Sequence, residues 1–139
     1  MSSSDCIFCA QSAGDVLWAD TRCRVIWPHD SQYPALCRVV WNVHVKEVTD
    51  LSAADRAHLM QVVFAVETGL RALLNPDKIN VASLGNVVPH IHWHVIPRYA
   101  HDTHFPGSIW SAPQREHSSA LSGTFSAQLK ARLTALLAP

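Results

Sequence analysis

Residues 90–98 read His90-Ile91-His92-Trp93-His94-Val95-Ile96-Pro97-Arg98, and their alternation decides how the chain is read. Successive side chains of a β-strand point to opposite faces. His90, His92 and His94 therefore fall on one face, and Ile91, Trp93 and Val95 on the other. The apolar set predicts a strand packed on a core. The histidine set predicts chemistry, because three imidazoles on one side of an otherwise apolar strand are costly to bury without partners. Two chemistries suit it. The rings can form a metal-binding face, since imidazole ligates zinc, copper, nickel and iron. Alternatively, one ring is a nucleophile whose neighbours orient it and manage protons and phosphate charge.

The flanking sequence predicts the frame for this strand. A strand is expected over 23–27, stopped by Pro28, and a longer one over 36–45. Alternation in the latter sets Val39, Trp41, Val43 and Val45 against Arg38, Val40, Asn42 and His44. Ser52 is a helix cap, and Leu59, Val63, Val66, Leu70 and Leu73 form an apolar stripe over 53–74, widened by Met60 and Phe64. Asn75-Pro76-Asp77 ends that helix. Strands over 78–82 and 90–99 flank a loop with Gly85-Asn86, and a last helix is expected over 125–137. Strands interrupted by one long helix imply an α+β chain with an antiparallel sheet. Residues 1–4 are expected to be mobile.

Composition narrows the function. Lys plus Arg and Asp plus Glu number 11 each, so the net charge is zero and no broad nucleic-acid or membrane footprint is expected. The start, Met1-Ser-Ser-Ser-Asp5, has neither a basic nor an apolar stretch, so no signal peptide is expected. A cytoplasmic location follows as the expectation, with Cys6, Cys9, Cys23 and Cys37 reduced. The length of 139 residues suits a single domain, with a core over about 5–110 and an extension with helix over 111–139.

The run from His90 to Arg98, His-apolar-His-apolar-His followed by two apolar residues, resembles the signature of the histidine triad (HIT) family. Pro34–His44, Asp50-Leu51-Ser52, Ile79-Asn80-Val81 and Gly85-Asn86 resemble the family's surrounding elements, most closely in bacterial diadenosine-tetraphosphate-hydrolase-like members. The resemblance implies an antiparallel sheet of about five strands with one crossover helix and a C-terminal helix. It also implies a homodimer with the two sheets continuous, the 53–74 helix contributing to the interface. The implied activity is hydrolysis or transfer of nucleotides through a covalent nucleotidyl-histidine intermediate, without an organic cofactor. His92 would attack, His94 would bind the scissile phosphate and assist the leaving group, and His90 would sit behind the nucleophile. A nucleotide-binding regulatory module with little turnover is the alternative of a different class.

Phosphate and nucleotide contacts are expected from backbone N–H groups near Gly85 and Asn86, and from Asn80, which by alternation shares the histidine face. Trp110 either stacks on a base or closes the site, or packs on the sheet. The chain departs from the family at Leu36, at Pro28-His29-Asp30 and at Trp41-Asn42, and Arg38 can compensate by reaching phosphate. Cys6-Ile7-Phe8-Cys9 has the spacing of a zinc knuckle; two unconnected thiols or a redox pair have the same spacing. In zinc-containing relatives the remaining ligands resemble His44 and His90, so a structural zinc on Cys6, Cys9, His44 and His90 is implied. Cys23 and Cys37 read as small buried hydrophobes.

Overall fold

The computed structural model describes residues 3–139. In chain order they form α1 (Ile7–Ala10), β1 (Asp15–Ala19), β2 (Cys23–Trp27), β3 (Cys37–Trp41), α2 (Ala53–Leu74), β4 (Lys78–Ala82), β5 (His92–Arg98) and α3 (Phe125–Leu136), with 3-10 turns at Ser3–Asp5 and Val48–Asp50. The five strands make one antiparallel sheet in the order β1-β2-β3-β5-β4. The fold is α+β with a five-strand antiparallel sheet, as expected.

Helix α2 starts where Ser52 Oγ accepts the Asp55 N–H (3.1 Å) and ends at Asn75, whose φ of 46° is left-handed. Its 22 residues are enough to span a membrane, but Leu59, Val62, Val63, Val66 and Leu70 are buried against the sheet and α3. Gly69 lets the two helices meet: a Cβ there would lie 2.8 Å from Leu129 Cδ1. This core occupies one face of the sheet and includes Cys23, Val25, Cys37, Val39 and Val95. Burial pushes the thiols of Cys23 and Cys37 up to about 12, with Asp20 adding to the shift at Cys23. Both behave as apolar side chains.

The opposite face carries the site. Register pairs Arg38 with His94 and Val40 with His92, so these residues share one surface. Several expectations are corrected here. Strand β1 is not among the predicted strands; it is five residues long and carries a bulge between Val16 and Trp18 that spoils its alternation. Strand β3 stops at Trp41 rather than continuing to Val45. The Trp41 N–H donates to Ile91 O (3.1 Å) and the Ile91 N–H to Val45 O (2.9 Å), so 42–45 leaves the sheet. Val43 is accordingly 65% exposed, not core. Strand β5 begins at His92, leaving His90 just outside it. Phe64 is 56% exposed on the outer side of α2 instead of widening the stripe. Of the four N-terminal residues, Ser3 and Ser4 enter the 3-10 turn, and residues 1 and 2 lie outside the described residues.

Beyond β5, Arg98 fastens the following loop. Its Nε and Nη2 donate to the two Asp102 carboxylate oxygens (2.8 and 3.0 Å), and Nη2 also donates to Gly107 O (2.7 Å). Both partners are almost fully buried. Burial pushes the Asp102 carboxyl up, but Arg98 and the N–H groups of Tyr99 and Phe105 outweigh it and hold the group well below its usual 3.8. This stability is present above pH 3.8 and is lost as pH falls below it. Asp102→Ala strands a buried guanidinium and should cost about 3–5 kcal/mol in urea unfolding. A loss below about 1 kcal/mol, the range of an exposed pair, would contradict this.

Candidate active site and adjoining metal centre

His92 and His94 lie one turn of the pleat apart on β5, their rings 5.2 Å between centroids. His92 Nδ1 stands 2.6 Å from the main-chain carbonyl of His90. A carbonyl only accepts, so Nδ1 carries the proton and Nε2 keeps its lone pair. Burial, and then the cation of Arg38, push the His92 imidazolium down despite that hydrogen bond. The same two causes, with His92 added, bring His94 from 6.5 to about 4. Both rings are therefore neutral at pH 7. Arg38 Nε approaches His94 Nδ1 at 3.5 Å, which leaves the His94 proton on Nε2.

A cavity of about 480 Å³ opens over these rings. Arg38, Gly85, Asn86 and Trp110 line it. Trp110 sits edge-on to His94 at 5.0 Å between centroids, so it covers the site rather than packing into the sheet. Asn80 is different. It shares the histidine face, pairing with Ile96 across β4–β5, but its Oδ1 accepts from Arg98 Nη1 (2.7 Å) and it does not line the cavity. Alternation gives the face of a residue and says nothing of its partner. Phe8 also belongs to the site. Its ring lies 4.7 Å from that of His92, and with Ile7 it walls the cavity. The only sequence signal for it is its place between Cys6 and Cys9.

His90 does not share the cavity. Its Nε2 donates to Trp41 O (2.5 Å), which turns Nδ1 away from β5. That atom lies 3.4 Å from Cys6 Sγ, 3.5 Å from Cys9 Sγ and 3.1 Å from His44 Nδ1, and Cys9 Sγ lies 3.4 Å from His44 Nδ1. Tetrahedral zinc with ordinary bond lengths needs about 3.5 Å between sulfur and nitrogen and about 3.3 Å between two nitrogens. The four donors therefore fit Zn2+, and the carbonyl behind His90 supplies the outer-shell hydrogen bond that metal-bound imidazoles have. Arg24 braces the cluster: Nη2 donates to Phe8 O (2.7 Å) and Nη1 to Asn42 Oδ1 (3.1 Å), joining the cysteine segment to the His44 segment.

The three histidines do not form a common metal face. Among the described residues, metal-ligand spacing occurs in the Cys6, Cys9, His44, His90 group and in an Asp20, Cys23, His58 group, neither of which includes His92 or His94. In the second group Asp20 Oδ2 and His58 Nε2 are at hydrogen-bond distance (2.6 Å), tying the β1–β2 turn to α2.

Solved structures are similar to this one across most of the chain. A histidine triad protein from Bradyrhizobium japonicum is 25% identical, with a TM-score of 0.72 over 91% of this chain and 92% of that one. A histidine triad protein from Marinobacter aquaeolei VT8 is 30% identical, with a TM-score of 0.69 over 91% and 90%. A Zn-bound histidine triad family protein from Mycobacterium smegmatis shares the fold at 23% identity, with a TM-score of 0.65 over 97% of each chain. No curated protein matches the chain. The family model for the HIT domain matches residues 10–101, more than half of the sequence, and the chain belongs to the HIT domain family.

Proposed function

We propose that the protein is a nucleotide hydrolase that passes a nucleotidyl group first to His92 and then to water, acting on dinucleoside polyphosphates or nucleoside phosphoramidates. The observation that carries this reading is the 2.6 Å contact between His92 Nδ1 and the His90 carbonyl, which leaves Nε2 as a neutral nucleophile beside the cavity. Nε2 forms a bond to the α-phosphorus while the bond to the leaving group breaks, the electron pair departing with the leaving group. Water then attacks phosphorus and the P–N bond to His92 breaks; the proton of that water goes to solvent when a polyphosphate has left, and makes up for the proton taken by the leaving group when an amine has left. His94 Nε2–H donates to the scissile phosphate and the leaving atom. His90 supports the nucleophile through its main chain. Backbone N–H groups around Gly85 and Asn86 hold phosphate oxygens, and Phe8 and Trp110 offer rings to the nucleoside.

Cys6, Cys9, His44 and His90 would hold a zinc ion, which would supply a structural anchor and leave the chemistry to His92. The chain acts as a cytoplasmic homodimer: β4 leaves a free edge for a continuous sheet, and Phe64 is exposed on α2. Light scattering at micromolar concentration should give the dimer mass, and a monomer would contradict this arrangement.

Multiple turnover of diadenosine tetraphosphate or an adenosine phosphoramidate, dependent on His92, tests the enzymatic reading. Tight nucleotide binding without turnover of either class would instead make the chain a regulatory binding module.

A further inference from the structure

Arg38 is the one charged side chain among the described residues lining the cavity. It is half-buried on β3, directly across from His94, and its Nε reaches His94 Nδ1 at 3.5 Å. Among the described residues no carboxylate forms an ion pair with it; Asp30 acts on it only from a distance. Removing a guanidinium from water without an anion beside it is costly. The site therefore holds a cation that an anionic ligand completes.

We propose that Arg38 is the specificity-determining residue on the leaving-group side of the site, selecting substrates whose leaving group is itself a phosphate chain over substrates whose leaving group is an amine. The inference rests on the nucleotidyl-transfer reading, which sets His92 at the α-phosphorus and His94 toward the leaving atom. Arg38 stands across from His94 rather than from His92, so of the two rings its charge lies nearer the one assigned to the leaving atom.

The two leaving groups make opposite demands. A polyphosphate leaves with the electron pair of the P–O bond on a phosphate oxygen whose conjugate acid has a pKa of about 6. It needs no proton from the protein, and a fork of guanidinium donors meets its negative charge. An alkylamine takes the electron pair of a P–N bond onto nitrogen and must receive a proton to leave, becoming an ammonium of pKa about 10. Arg38 repels that product. It also disfavours the protonated form of His94, which titrates near 4 through burial and then Arg38, so few His94 rings carry a transferable second proton at neutral pH.

The test compares kcat/KM for diadenosine tetraphosphate and for an adenosine 5′-phosphoramidate of an alkylamine, in wild type, Arg38→Leu, Arg38→Lys and His92→Ala. Wild type should favour the polyphosphate. Arg38→Leu should lower polyphosphate kcat/KM by roughly 10²–10³-fold, the scale of a lost charge-stabilising donor. The ratio of the two specificities should fall by at least about tenfold, and Arg38→Lys should restore part of it. Phosphoramidate turnover by Arg38→Leu doubles as the measure that the variant is folded. A parallel calorimetric titration of tripolyphosphate into His92→Ala, with and without Arg38→Leu, should show a binding loss of about tenfold or more. An equal loss for both substrates, or a wild-type preference for the phosphoramidate, overturns the role of Arg38 while leaving the His92 mechanism intact. Unchanged turnover of both substrates in His92→Ala overturns the mechanism itself, and this inference with it.

Discussion

His92→Ala should lose turnover by roughly 10⁴-fold or more, the scale on which removing a covalent nucleophile acts. The expectation follows from the tautomer. With Nδ1–H held by the His90 carbonyl, the His92 ring presents one free lone pair beside the cavity, and no other side chain there is equivalent. His94 has its Nδ1 directed to Arg38, so its remaining ring nitrogen is a donor. His94→Ala should accordingly cost less, roughly the 10²–10⁴-fold of a lost proton-handling group. The fold should survive His92→Ala, because the ring touches Phe8 and His94 while the backbone pairing of β5 with β3 and β4 is untouched. Nucleotide affinity should stay within about tenfold, since the phosphate and base contacts belong to other residues. Quenching without acid should trap a nucleotidyl group on the peptide containing His92, and the adduct should be acid-labile, as a P–N bond is. If His92→Ala kept a tenth of wild-type activity, the covalent route would be wrong.

The features of this site that follow from local periodicity were legible in the sequence. Alternation alone separates His92 and His94 from Val95, and the Ser52 cap, the apolar spacing and the Asn75-Pro76-Asp77 stop give α2 its bounds, Ala53–Leu74. Features set by one chain segment meeting another do not follow from periodicity, and the grouping of Cys6, Cys9, His44 and His90 came from the family resemblance instead. The exit of 42–45 from the sheet depends on hydrogen bonds to Ile91, and that exit is what brings His44 to His90. Alternation assigns His90 to the triad face, whereas the Trp41 carbonyl turns its ring toward Cys6 and Cys9. Alternation gives Arg38 its face but not its neighbour. Its position opposite His94 is a matter of strand register between segments 56 residues apart. Asn80 shows the converse: its face was legible, its capture by Arg98 was not. Strand β1 was hidden because its bulge breaks the two-residue repeat on which strand recognition rests.

Cys6→Ser combined with Cys9→Ser should abolish zinc binding, and purified wild-type protein should carry about one zinc per chain. The same geometry predicts a large loss of stability. Segment 6–9 is short, and it reaches the sheet through Cys6 and Phe8, which are buried, and through the Arg24 contact to the Phe8 carbonyl. A four-residue helix has almost no stability of its own. A metal joining Cys6 and Cys9 to His44 and His90 would tie three separate stretches of chain together, so its binding free energy becomes folding free energy. The double variant should therefore melt well below wild type, and chelation of wild type should reproduce the drop. Activity should fall as well, for a reason local to the site. His90 offers its ring to the metal cluster and its main-chain carbonyl to His92, 2.6 Å from Nδ1. Releasing the ring loosens the carbonyl that fixes the nucleophile's tautomer, and it frees Phe8 from its place against His92. The expected signature is a fall in kcat larger than the rise in KM at a temperature where the variant is still folded. Zinc-free wild-type protein, or a double variant with an unchanged melting temperature, would show that the four side chains converge without a metal and that the two thiols are merely packed.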